Sequence, residues 1–331
     1  MKAGTTPPIL GPDGQPLPNS IADVRNICLG GIEQWVMIRG SNITDNPILI
    51  LLHGGPGISE TTLWRFFNSS ALEKVFTVVY WDQLGCGKSY DPTIPKDKMT
   101  IEQFLTSLDE LVDIVCHRCN KNKVTIFGHS WGSFLGPLYA SRFPSKVAAY
   151  VGCAQLGDWM ESEKATYAYV LNEAEKRGNF RMVRDLQKIG PPPHTCDELF
   201  KQRTCLAKLD GDLTLHALLK MIKVCIHVPE SSVLELFHFW KILRFSITAM
   251  WADLTQMNLL TSVPELQMPS FFFLGRHDHC VPPEISVKYI EALISPSKEV
   301  VWFENSKHSP FVDEPEKFNS KMEDLVRPAS V

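Results

Sequence analysis

The chain has 331 residues, 44% hydrophobic and 21% charged, with a formal net charge of −4. That length accommodates one large domain, or a domain with an insertion, and can bury a core without disulfides or a structural metal. The charge balance argues against a dedicated nucleic-acid binder, and the composition is that of a soluble globular protein.

In chain order, Met1 to Ser20 is rich in Pro and Gly, lacks an apolar core of signal-peptide length, and reads as an extended arm or edge. Short apolar, β-branched runs then alternate with helical patterns, which predicts a mostly parallel sheet covered by helices on both faces. Strands are expected at Trp35–Ile38, Ile48–Leu52, Phe76–Trp81, Lys123–Phe127, Val147–Gly152, Ser270–Leu274 and Val300–Phe303. Thr100 and Gln103 have the spacing of a capping box, and Ile101, Phe104, Leu105, Leu108, Leu111, Val112 and Val115 follow at helical period. Further helices are expected from just after Ser130 towards Phe143, from Pro283 to Ile294, and from Pro315 to Leu325. The interval from Gln155 to Val263 breaks the rhythm, being helical with Pro191–Pro193 and Pro229 as punctuation. It reads as a cap inserted between core strands, so that 1–154 and 264–331 form the core and 155–263 the cap. Its most membrane-like stretch, Leu234 to Trp251, carries Glu235, His238, Lys241 and Arg244, too many charges for a spanning helix. Nine scattered cysteines, an odd number, argue against a disulfide framework and for the reducing cytoplasm.

The strongest chemical signal is Gly128-His129-Ser130-Trp131-Gly132, between an apolar strand and a helical pattern. This is the context of a nucleophile elbow, in which side chains two residues either side of the serine would clash with the crossing helix and strand. His53-Gly54-Gly55-Pro56-Gly57 follows another core strand, where an oxyanion donor is needed. The donors are assigned to the N–H of Gly55, with Gly54 as the fallback, and to that of Trp131. Asp278 follows Phe271–Leu274, and His308 follows Val300–Phe303, so both fall at strand C-termini on the side of Ser130. The order Ser130, Asp278, His308 gives nucleophile, orienting acid and general base. Asp253 and Asp313 compete for the acid, but neither follows a core strand.

Other features are set aside. Gly87-Lys88-Ser89 lacks the earlier glycine of a phosphate loop, where Asp82 stands. Cys116 and Cys119 have no second pair with which to hold zinc. His277 and His279 read as loop residues beside Asp278, and His53 and His129 as supports of local structure. Phe237, Phe239, Trp240, Phe245 and Trp251 read mainly as core packing, with some lining the pocket.

His53–Gly57, the segment Trp81–Ser89 and Gly128–Ser133 together resemble the motifs of the proline iminopeptidase-like α/β-hydrolases, as do Gly275–Asp278 and the surroundings of His308. The resemblance spans residues 25–155 and 264–327. It implies an α/β-hydrolase fold with a core sheet of eight strands and a helical cap. It also implies a serine hydrolase, with small peptides bearing an N-terminal proline or small apolar residue as the leading substrates. Prolyl aminopeptidases of this family bind the free amine with cap glutamates, one of them in a Trp-Glu motif that is absent here in its usual form. Glu161, Glu163, Glu173, Glu230 and Glu235 are available, and Trp159–Glu163, nearest to that motif, reads as a solvated helix start. A carboxylesterase or small-molecule amidase with the same triad is the alternative, and a non-catalytic ligand-binding homologue the third reading. Ser130 argues against an epoxide hydrolase or dehalogenase, which place a carboxylate there. No cofactor, metal, nucleic acid or membrane span is expected.

Overall fold

The structure, a computed structural model, describes residues 4–331. Met1–Ala3 of the expected arm lie outside the described residues. Eight strands form one sheet: β1 (Ile21–Leu29), β2 (Ile32–Gly40), β3 (Ile48–Leu52), β4 (Thr77–Trp81), β5 (Val124–His129), β6 (Val147–Cys153), β7 (Ser270–Gly275) and β8 (Lys298–Phe303). Their spatial order is β1-β2-β4-β3-β5-β6-β7-β8. The β1–β2 and β2–β4 pairs are antiparallel and the rest parallel. Strand β1 was not foreseen. It pairs with β2 through a Gly30-Gly31 turn in which both glycines have positive φ, as a two-residue hairpin requires.

The central strands are fully buried and largely apolar because both faces are covered. On β3, Ile48, Ile50 and Leu52 enter one cluster, with Leu108, Leu111 and Leu135. Leu49 and Leu51 enter the other, with Trp64, Phe311 and Phe318. On the first face the helix Ile101–Cys119 starts with the Thr100 hydroxyl accepting from Gln103 N–H at 3.2 Å. The expected capping box is only half formed, because the Gln103 amide donates to Gly30 O at 2.8 Å instead. The helix Trp131–Arg142 beside it contains Pro137, which removes one main-chain donor. The carbonyl left over, that of Ser133, accepts from the Gln155 amide at 2.8 Å and the Tyr150 hydroxyl at 3.1 Å.

Between β6 and β7 the chain is helical, with Trp159–Lys176, Phe180–Ile189, Cys196–Asp210, Leu215–His227 and Leu234–Ala249 as its long helices. The chain leaves and returns side by side: Trp159 N–H donates to Met257 O at 3.0 Å and Leu259 N–H to Gly157 O at 2.7 Å. No helix among the described residues is long and apolar enough to cross a membrane.

Candidate active site

Strand β3 has β4 on one side and β5 on the other, so the connections after β3 and β5 diverge there. In an open parallel sheet this switch point leaves a crevice at the strand C-termini. The loops bearing Gly54, Gly55 and Ser130 flank it, and Asp278 and His308 follow β7 and β8 on the same edge.

Ser130 directly follows β5 with φ 52° and ψ −114°, in the left-handed half of backbone space that a serine rarely occupies. The turn is fixed by its surroundings: Ser130 N–H donates to Cys153 O at 3.0 Å, and the Ser133 hydroxyl donates to Ser130 O at 2.6 Å. The expected clash is present on both sides. A Cβ on Gly128 would lie 2.2 Å from Gly132 O, and one on Gly132 2.1 Å from Leu52 O.

His308 Nδ1 lies 2.9 Å from Asp278 Oδ2. Asp278 Oδ1 accepts main-chain N–H groups of Cys280 at 2.8 Å and Val281 at 2.9 Å. Burial alone would raise the Asp278 carboxyl, but His308 and these donors hold it below its ordinary value. Burial pushes His308 down, and the adjoining Asp278 and Cys280 groups outweigh it, leaving the imidazole well above its ordinary value. Neither competing acid meets His308: Asp253 accepts Ile101 N–H and Asp313 accepts Lys307 N–H.

The glycine loop is held by His53, read from sequence as a support of local structure, and by Gln83. His53 Nε2 accepts Gln83 N–H at 3.0 Å, so its Nδ1 carries the proton and donates to Gly54 O at 2.8 Å. Burial depresses His53, in keeping with that neutral ring. The Gln83 side-chain oxygen accepts the Trp131 indole N–H at 3.0 Å, tying the glycine loop to the residue after Ser130. Gly54 N–H donates to Glu60 Oε1 at 3.1 Å, so that donor is already engaged. Gly55, at φ 114°, has no room for a side chain, since a Cβ would meet Gly57 N at 2.5 Å. Lys88 N–H donates to Asp82 at 2.8 Å, so the residue that spoils the phosphate-loop pattern instead pins this turn.

Gly54, Gly55, Ser130, Trp131, Asp278 and His308 all line one cavity of about 490 Å³, a size suited to a small organic ligand. Further residues of the site were given no role, or a different one, from sequence. Glu60 is buried and bonds His129 Nδ1 at 2.6 Å. Glu163, expected on a solvated helix start, is instead 4% exposed and lines the cavity. The Arg203 guanidinium and the Gln202 amide both donate to it. Burial lifts its carboxyl above the ordinary range despite Arg203. Cys280 also lines the cavity. Burial raises its thiol, but His308 and Arg203 beside it bring it below its ordinary value. A signal for Glu163 was present in its helical neighbours Thr166, Tyr167 and Val170, which share its face and are buried. His279 stacks on Tyr169 with ring centroids 3.5 Å apart, a packing role rather than a metal site.

A profile of the alpha/beta hydrolase fold matches residues 47–189. The chain is 33% identical over 307 residues to a Bacillus subtilis (strain 168) protein named "Probable aminopeptidase YbaC", covering 92% of this chain and 96% of that one. It is 25% identical over 291 residues to a proline iminopeptidase of Heyndrickxia coagulans, covering 84% and 90% of the two chains. Among solved structures, a proline iminopeptidase of Mycobacterium smegmatis superposes with a TM-score of 0.60 at 21% identity, over 93% of this chain and 99% of that one. A proline iminopeptidase-related protein of Thermus thermophilus gives a TM-score of 0.67 at 16% identity, over 93% and 99%. These two likenesses concern the fold, whereas the sequence relatives extend through the core and the helical segment alike. The chain belongs to the proline iminopeptidase-like family of α/β-hydrolases.

Proposed function

We propose that the protein is a serine hydrolase working through an acyl-enzyme, and that it is an aminopeptidase releasing N-terminal residues from small peptides or amides. The observation that carries the chemistry is the His308–Asp278 pair, 2.9 Å apart, in one cavity with a serine held at positive φ. In this reading Ser130 Oγ attacks the scissile carbonyl and His308 Nε2 takes its proton. Asp278 keeps the imidazole in the Nδ1–H tautomer and stabilises the imidazolium. The N–H groups of Gly55 and Trp131 receive the oxyanion, Gly54 being engaged by Glu60. His308 then protonates the leaving amine, and water, deprotonated by the same histidine, releases the acid and restores Ser130. The cycle calls for no metal or organic cofactor.

The helical segment 155–263 acts in this reading as the cap, and Glu163 is its carboxylate for the substrate's free amine. The names of the sequence relatives and the burial of Glu163 in the cavity wall support this. A second reading, a carboxylesterase or small-molecule amidase, is favoured by one fact: Glu163 is already bonded to Arg203 and Gln202. The nine unpaired thiols are in line with a cytoplasmic setting.

The test compares kcat/KM for prolyl-p-nitroanilide, N-acetyl-prolyl-p-nitroanilide and p-nitrophenyl butyrate, in wild type and Glu163→Gln. The aminopeptidase reading expects a strong preference for the free amine and a rise in KM for that substrate alone in the variant. Rapid ester turnover with no free-amine preference would replace it by the esterase reading and leave the triad in place.

A further inference from the structure

The helix Leu215–His227 is apolar on two sides. One side, with Val224 and Cys225, is buried against the body of the molecule. The other carries Leu215, Leu218, Leu219 and Ile226, at steps of three, four and seven, which places them along one face. Leu215 is 72% exposed and Ile226 69%. The helix Leu234–Ala249 adds Phe237, 77% exposed, and Trp240, 51% exposed, one turn apart. This corrects the expectation of core packing for Phe237, whereas Trp240 lines the cavity, as expected of part of that aromatic set. None of the six belongs to an apolar cluster of the fold. Isolated wet leucines are ordinary, but so many concentrated on two neighbouring elements of the sequence mark an interaction surface.

The exposed charges on these helices are basic. Leu215–His227 contains Lys220 and Lys223, both exposed, and no Asp or Glu. On Leu234–Ala249, Lys241 is exposed, whereas the lone acid, Glu235, is paired with Lys88 at 3.1 Å. Glu230, between the helices, is bonded to Arg65 at 3.3 Å. Asp212 stands before the first helix and lines the cavity with Asp210, and Arg244 is paired with Asp197. A second copy of this helix would bring like charges together, while an anionic surface would meet exposed lysines. Leucine and aromatic side chains beside lysines are the composition of a helix lying in a membrane interface. Leu213 and Trp240 also border the catalytic cavity, so this face adjoins its mouth.

We propose that this face docks the protein on an anionic lipid bilayer, with Leu215–His227 lying in the interface and the cavity mouth next to the lipid. The proposal is independent of which bond Ser130 cleaves. The lysines supply long-range attraction and the leucines and aromatics the inserted surface, so binding requires both an anionic headgroup and the apolar stripe.

The test is co-sedimentation of the full chain with vesicles of phosphatidylcholine alone, and of phosphatidylcholine with about a third phosphatidylglycerol. The expected result is pelleting with the anionic vesicles, weakened in about 0.5 M salt. Leu219→Glu with Ile226→Glu is expected to lower that binding at least ~10-fold while turnover of a soluble substrate is unchanged. Lys220→Glu with Lys223→Glu, both at exposed positions, is expected to abolish the preference for anionic vesicles. Wild type that stays in the supernatant at low salt, or variants that pellet like wild type, would overturn the proposal. So would a dimer in solution that the leucine and isoleucine substitutions dissolve, since the face would then be a contact between copies.

Discussion

The ring of His129 reaches from Glu60 to the main chain of His308, with Nε2 2.8 Å from the His308 carbonyl oxygen. The residue before the candidate nucleophile thus positions the loop that bears the candidate base, 179 residues further along the chain. Glu60 also accepts Gly54 N–H, so one buried carboxylate organises the glycine loop, the elbow and the histidine loop together. Burial would raise Glu60, yet His129 beside it holds it below its ordinary value.

His129→Ala should therefore impair the reaction without touching substrate. Displacement of His308 by about 1 Å can cost ~100-fold in rate, so kcat is expected to fall while KM changes little. The substitution also leaves Glu60 buried without its partner, at a cost of about 3 kcal/mol in stability. Steady-state kinetics and urea unfolding measure the two effects separately. Wild-type kcat in a folded variant would show that this contact does not align the site.

In the proposed mechanism the Asp278–His308 pair sets the pH dependence. The base must be neutral to accept the Ser130 proton, and its affinity for protons is raised by Asp278 and Cys280 over the opposing effect of burial. Activity should therefore be lost on acidification at a midpoint above the ordinary histidine value of about 6.5. In Asp278→Asn that midpoint should move down, because the charge that raised it is gone, with kcat falling by up to ~10⁴-fold. The profile of kcat/KM for a substrate without a titrating group, such as p-nitrophenyl butyrate, reads the free enzyme.

Gly132→Ala tests the elbow sterically. The added methyl group would sit 2.1 Å from Leu52 O, a main-chain atom of central β3 that cannot yield. The expected outcome is failure to accumulate folded protein, or a loss of more than about 3 kcal/mol. Gly178→Ala is the control: the residue lies on the surface with nothing within 4 Å of an added Cβ, although its φ of 63° adds a small strain.

Much of this was legible in the sequence because strand, glycine and nucleophile recur in fixed local order. Ser130, Asp278 and His308 each follow an apolar run that forms a strand, and their convergence follows from parallel strand order. What was not legible is set by long-range contacts. Strand β1 alternates only weakly, since most of its residues are half-buried at the sheet edge. The Gly30-Gly31 pair was its one clear mark. Glu163 stands in the charged run Glu161-Ser162-Glu163-Lys164 at a helix start, and the packing of its helix against Cys196–Asp210 buries it. Gln103 had the spacing of a capping box, but Gly30, 73 positions earlier, competes for its side chain.

The central claim, that Ser130 is the nucleophile, is tested most directly by reacting the purified protein with a fluorophosphonate probe and mapping the adduct by peptide mass spectrometry. The expected result is one adduct per chain, on Ser130, absent from Ser130→Ala, whose kcat falls at least ~10⁴-fold. An adduct on another residue, or near-native turnover by Ser130→Ala, would contradict it.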